Sequence, residues 1–97
     1  MLRAVLVDDE LHAREELAAL LAETREITVV ATCPNAIEGI RAVKEARPDV
    51  LFLDINMPGI DGLQMLSMID AEVMPCVVFV TAYDEFALHA FDRNAID

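Results

Sequence analysis

The stretch "VLFLDINMPGIDG", residues 50–62, decides the reading of this chain. Four apolar residues run without interruption into Asp54, a Met-Pro-Gly turn follows, and Asp61 and Gly62 close the segment. A short continuous apolar run bounded by turn residues predicts a strand covered on both faces. Such a strand is a rigid post, and the carboxylate at its end is what it holds up. The turn fits that purpose. Pro58 fixes φ, and Gly59 reaches backbone conformations closed to other residues. Gly62 lets the chain pass close and opens the next helix.

Working outward, the same alternation of strand and helix recurs on both sides. Residues 4–7, "AVLV", predict a first buried strand. Residues 11–24 predict a helix with Ala13, Leu17, Leu20 and Leu21 on its apolar side and Arg14, Glu15, Glu16 and Glu23 largely off it. Residues 27–32, "ITVVAT", are rich in β-branched residues and predict a second strand. Asn35 with Glu38 three residues later has the spacing of a helix cap. That helix runs to about residue 46, turns Ile37, Ile40 and Val43 inward, and is stopped by Pro48. Leu63, Leu66 and Ile69 mark a third, short helix. Pro75 opens a fourth strand over residues 76–81, and a last helix is expected over residues 85–94 with Phe86, Ala90 and Phe91. The resulting β-α-β-α-β-α-β-α order demands an α/β fold, a mainly parallel sheet with helices on both faces. Right-handed crossovers leave few ways to wind it.

Composition agrees with this picture and excludes others. The chain has 97 residues, 56% of them apolar, which suits one small domain with its own core. It lacks an apolar run of about 18 residues and any secretory leader pattern, so a membrane span is not expected and a cytoplasmic location is. Acidic residues number 18 against 7 basic ones, for a net charge of −11, the wrong sign for unaided nucleic-acid binding. Cys33 and Cys76 are far apart and form no CxxC; they are expected to be reduced thiols, at least one of them in or near the core.

In open parallel sheets, ligands bind beyond the carboxyl ends of the strands. The first strand ends in Asp8 and Asp9, the third in Asp54 and the fourth in Thr81. The first and third strands are expected to be neighbours, so Asp8, Asp9 and Asp54 are expected to meet. Three carboxylates this close raise one another's pKa unless a cation intervenes. Oxygen-only donors suit Mg²⁺ and are poor for zinc. A carboxylate beside Mg²⁺ can act as nucleophile toward a phosphoryl group, the metal offsetting charge on the transferred oxygens. Asn56 can offer its main-chain carbonyl to the metal, and Thr81 a hydroxyl to a phosphoryl oxygen. Each feature alone has a plainer account: Asp9 as a cap of the first helix, Thr81 as a strand terminus, Met-Pro-Gly as a turn. Their joint occurrence at consecutive strand ends is what argues against it. His12 and His89 read as surface or boundary residues, the five methionines as core filling, and Tyr83, Phe86 and Phe91 as packing residues.

These motifs resemble the receiver domain of two-component response regulators. "VLVDDE", "DVLFLDINMPGIDGL" and "VVFVTAYDEFALHAF" match that family in order and spacing across the whole chain. The resemblance implies a flavodoxin-like fold, here with strand order 2-1-3-4. It implies Asp54 as phosphoryl acceptor from a sensor histidine kinase, Asp8 and Asp9 as the acidic pair for Mg²⁺, Asn56 as a main-chain ligand and Thr81 as the switch hydroxyl. The segment "TAYDEFALHAFDRNAID" is similar to regulators carrying a LytTR-type DNA-binding domain, so DNA contact is expected only through an output domain. Family members continue into a fifth strand, with a switch aromatic and a Lys-Pro pair, and a fifth helix. The chain stops at Asp97, where that strand would begin. The expectation is therefore a receiver domain over residues 1–97, incomplete at its C-terminus, whose uncovered fourth strand favours self-association.

The leading function is a regulatory phospho-accepting switch and not an enzyme. A Mg²⁺-dependent phosphatase using an aspartyl intermediate would need a general acid and a substrate cap. A nucleotide or flavin module would want a glycine-rich turn after the first strand, where "VDDELHA" has none. A phosphorylation-incompetent dimerisation fragment is the fourth reading, which Asp54→Asn separates from the first.

Overall fold

Strands β1 (Leu2–Val7), β2 (Ile27–Cys33), β3 (Val50–Leu53) and β4 (Cys76–Phe79) form one parallel sheet in the order β2-β1-β3-β4. Helices α1 (Leu11–Thr24), α2 (Ala36–Ala46) and α3 (Gly62–Ser67) connect them, with a single 3₁₀ turn at Ala71–Val73 before β4. This is the flavodoxin-like, doubly wound arrangement. The computed structural model describes residues 1–80. Thr81, Tyr83, the helix expected over residues 85–94 with Phe86, Ala90 and Phe91, and His89 lie outside the described residues.

The period-two alternation of strand side chains splits the core into two layers. Val5, Val7, Leu51 and Leu53 join Cys33, Val43 and Met65 on the side covered by α2 and α3. Ala4, Leu6 and Val50 join Leu21 of α1 on the other side. β1 and β3 are thus apolar on both faces, which is why their sequences read as unbroken runs. Among the described residues β4 pairs with β3 alone, and its Val78 and Phe79 are 40% and 37% exposed.

Helices α1, α2 and α3 form where expected, but the face of each differs in detail. In α1 the inward stripe is Arg14, Leu17, Ala18 and Leu21, at i, i+3, i+4 and i+7. Leu20, expected inside, is 60% exposed, and Arg14, expected outside, is half-buried. In α2 the buried stripe is Ala36, Gly39 and Val43, and Ile37 is 52% exposed. Val43 and Ile40 pack against the core as expected, and the small residues Ala36 and Gly39 take the rest of the buried face in place of Ile37. A β-carbon at position 39 would come within 2.7 Å of a Val7 methyl, so only glycine allows this approach to β1. In α3 the buried anchor is Met65, with Ile69 following it, and Leu63 faces out. Of the methionines, Met57 and Met65 fill the core and Met1, Met68 and Met74 are exposed.

Caps explain the helix ends. Asn35 accepts a bond from the Glu38 amide at 2.9 Å and donates to the Glu38 carboxylate at 3.0 Å, as its spacing implied. Asp61 and Gln64 form a reciprocal capping box that starts α3. Arg25 and Arg47 end α1 and α2 in the left-handed conformation, with φ of 58° and 47°. Both cysteines are free, Cys33 buried and Cys76 exposed, and burial together with nearby Glu38 pushes the Cys33 thiol up.

Candidate functional site

The strand ends are held level by main-chain hydrogen bonds that continue the ladder one step past each strand. The Asp8 amide donates to the Cys33 carbonyl at 3.0 Å, the Asp54 amide to Val7 at 2.9 Å, and the Val80 amide to Leu53 at 2.9 Å. Register does the rest: Val7 pairs with Leu53, so the residues that follow, Asp8 and Asp54, emerge side by side. Asp8, Asp9 and Asp54 each bring a carboxylate oxygen within 4.8 Å of the others. They line a cleft of about 340 Å³ beyond the sheet, together with Glu10, Asn56 and Val80.

The three acids sit in different surroundings. Asp54 is 7% exposed, the one buried charged side chain among the described residues. Asp8 is half-buried and Asp9 exposed. Burial raises the Asp54 carboxyl from its ordinary 3.8 to about 6, and the nearby charges of Asp8 and Asp9 push the same way. The amide of Asn56, which donates to Asp54 Oδ1 at 3.0 Å, opposes that rise. The cluster therefore carries negative charge, and no Lys or Arg among the described residues is ion-paired to it. Its donors are all oxygen, with no thiol or imidazole joining the group among the described residues. That donor set fits a hard divalent cation such as Mg²⁺.

Local structure supports the loop that carries the pair of acids. Asp9 does not cap α1: the cap position is Glu10, whose side chain makes no capping hydrogen bond. Asp8 instead accepts the Glu10 amide on its own carboxylate at 2.9 Å. Its carbonyl accepts the Arg14 guanidinium at 2.7 Å. Arg14 was missed from the sequence, where its charge argued for the solvent face; its i, i+3, i+4, i+7 spacing with Leu17, Ala18 and Leu21 was the signal available.

The second aspartate of the quoted stretch has no part in the cluster, because Asp61 caps α3. Gly59 adopts φ of 77°, the left-handed region that glycine tolerates. Gly62 lies directly against the backbone of Asp54 and Ile55, and its amide donates to Ile55. Asn56 lines the cleft, while Thr81 lies outside the described residues. His12 is exposed on α1 beside Glu15, and Lys44 lines a separate cleft near Ile69 and Asp70.

Known proteins share this architecture and sequence. The response regulator receiver domain profile matches residues 4–97. An uncharacterized response regulatory protein of Vibrio cholerae is 59% identical over 97 residues, a match covering 100% of this chain and 41% of that protein. The transcriptional regulatory protein BtsR of Escherichia coli is 53% identical, again covering 100% of this chain and 41% of BtsR. The chain thus spans about two-fifths of the length of these relatives. Among solved structures, the receiver domain of the putative response regulator NarL from Mycobacterium tuberculosis superimposes with a TM-score of 0.77 at 31% identity. That match covers 90% of this chain and 71% of the other. The response regulator domain of Thermotoga maritima CheB gives 0.76 at 25% identity, covering 100% and 75%. No helix among the described residues is long and apolar enough to cross a membrane. The chain belongs to the response regulator receiver domain family.

Proposed function

We propose that this receiver domain is a cytoplasmic phospho-accepting switch, with Asp54 taking a phosphoryl group from a phosphohistidine of a sensor histidine kinase. The Asp54 carboxylate oxygen attacks phosphorus; the new O–P bond forms as the N–P bond breaks, and the imidazole nitrogen keeps the electron pair. Asp8, Asp9, Asp54 and the main-chain carbonyl of Asn56 are the proposed ligands of Mg²⁺. When bound, that ion supplies positive charge against the transferred oxygens. The Met57-Pro58-Gly59 turn and the β3 post limit the motion of the nucleophile. Thr81 is the proposed hydroxyl that answers the phosphoryl group and passes the change on. The observation that carries this reading is the gathering of the three carboxylates within 4.8 Å, with the acceptor buried at a strand end.

The output we propose is transcriptional control through a separate DNA-binding domain of the LytTR type. Similarity to BtsR supports a transcriptional regulator, and the segment over residues 81–97 supports that class. The test is incubation of the intact protein with Mg²⁺ and acetyl phosphate, followed by mass measurement. Wild type should gain one phosphoryl group and Asp54→Asn none. Label that survives Asp54→Asn, or wild type that never labels with either acetyl phosphate or a phosphorylated kinase, overturns the reading. Self-association is a second proposal, resting on the exposure of Val78 and Phe79 on β4. A clean monomer by sedimentation at high concentration ends it.

A further inference from the structure

We propose that Arg14 is a positioning residue for the acidic cluster, acting through the backbone of Asp8. The inference rests on the metal-site reading above. Asp8 is tied at three points. Its amide donates to Cys33 of β2, its Oδ1 accepts the Glu10 amide, and its carbonyl accepts the Arg14 guanidinium at 2.7 Å. The first joins two backbone groups, and the second is local, from the Glu10 amide to the carboxylate of Asp8 itself. The third depends on one side chain.

Two features separate this role from that of a surface cation. Arg14 is half-buried on the inward stripe of α1 with Leu17, Ala18 and Leu21, where a long side chain loses freedom before its head reaches the loop. And its guanidinium takes a main-chain oxygen, with no Lys or Arg among the described residues ion-paired to Asp8, Asp9 or Asp54. The guanidinium takes none of the carboxylate oxygens of the cleft, while it locks the loop behind them. The lock matters because the Glu10 side chain makes no capping bond, which leaves the Asp8 Oδ1–Glu10 amide bond and Arg14 to fix the turn between Val7 and Leu11. Arg14 spans that turn, joining the first turn of the helix to the strand end. A planar donor fork suits this better than a lysine ammonium.

The sign of one measurement decides between positioning and mere charge. A cation near a metal site repels the incoming ion, so removing a simple counter-charge strengthens divalent binding. Removing a positioning bond weakens it. Outer partners of ligating carboxylates are worth roughly 10–100-fold in metal affinity. Mn²⁺, which suits the same oxygen donors, is titrated into the intact protein by electron paramagnetic resonance at low and high salt, with melting followed by circular dichroism.

Arg14→Gln is expected to bind Mn²⁺ about tenfold more weakly at both salt concentrations, because geometry is not screened. Arg14→Lys, which keeps the charge, is expected to fall between Arg14→Gln and wild type. Binding by Arg14→Gln as tight as wild type, or tighter, overturns the inference alone. If Arg14→Gln does not fold, Arg14→Lys decides by itself: weaker than wild type supports positioning, equal to wild type overturns it. A wild-type protein that binds no Mn²⁺ overturns the metal-site reading and this inference with it.

Discussion

Gly62 packs against the backbone of Asp54 so closely that a β-carbon there would come within 2.6 Å of the Asp54 carbonyl oxygen and 2.9 Å of the Ile55 α-carbon. The obstacles are main-chain atoms at the end of a buried strand, so nothing flexible can move aside. Gly62→Ala should destabilise the domain by about 1–3 kcal/mol, the range for overpacking a well-filled site. The shift falls on the residue that carries the candidate nucleophile, so labelling of Asp54 should slow as well. Urea denaturation and the rate of phosphoryl uptake from acetyl phosphate check both.

The raised carboxyl of Asp54 has a signed consequence for stability. Its value of about 6 in the folded chain against 3.8 ordinarily means the native state keeps a proton that the unfolded chain has released. Stability from this group is full below 3.8 and is lost as pH rises through about 6. In metal-free buffer, Asp54→Asn should therefore melt above wild type at pH 7, with the gap closing toward pH 4. Mg²⁺ favours the carboxylate, so it should raise the wild-type melting temperature more at pH 7 than at pH 5 and do little for Asp54→Asn. Melting curves with EDTA and with Mg²⁺ across that range test the sign.

The ends of α1 give a prediction independent of the site. Arg25 sits at φ of 58°, with its amide donating to Ala22 at 3.3 Å. A left-handed arginine costs roughly 1–2 kcal/mol, part of which glycine gives back through its freer unfolded chain. Arg25→Gly should stabilise the domain by about 0.5–1 kcal/mol with phosphoryl uptake unchanged. Thermal melting beside a labelling assay measures this.

Asp61 illustrates a cap that a motif search can mistake for a metal ligand. It accepts the Gln64 amide at 2.8 Å, while its own amide donates to the Gln64 side chain at 3.0 Å. Asp61→Ala should cost about 1 kcal/mol of stability and leave divalent affinity within twofold of wild type. Asp9→Ala, by contrast, should leave the start of α1 intact, because the cap position is Glu10, and should weaken Mn²⁺ binding severalfold. Calorimetric melting and Mn²⁺ titration separate the two residues.

The amino-acid sequence by itself determined the layering and the address of the site. Period and punctuation are local properties: "VLFL" between Pro48 and the Met-Pro-Gly turn, or Asn35 three residues before Glu38, carry their structure in neighbouring residues. Strand ends could therefore be read, and with them the acids that follow, since parallel sheets align those ends. Only the tertiary structure decided matters that depend on which surfaces meet. The register of Val7 with Leu53 brought Asp8 beside Asp54. The inward stripe of α1 took in half-buried Arg14 and left Leu20 out, because a helix rotates to fit the sheet beneath it and not to hide its largest residues. Gly39 and Gly62 are small because another backbone element or a core side chain already fills the space. A chain records its own periodicity, whereas the distance between two of its segments exists only once both are packed.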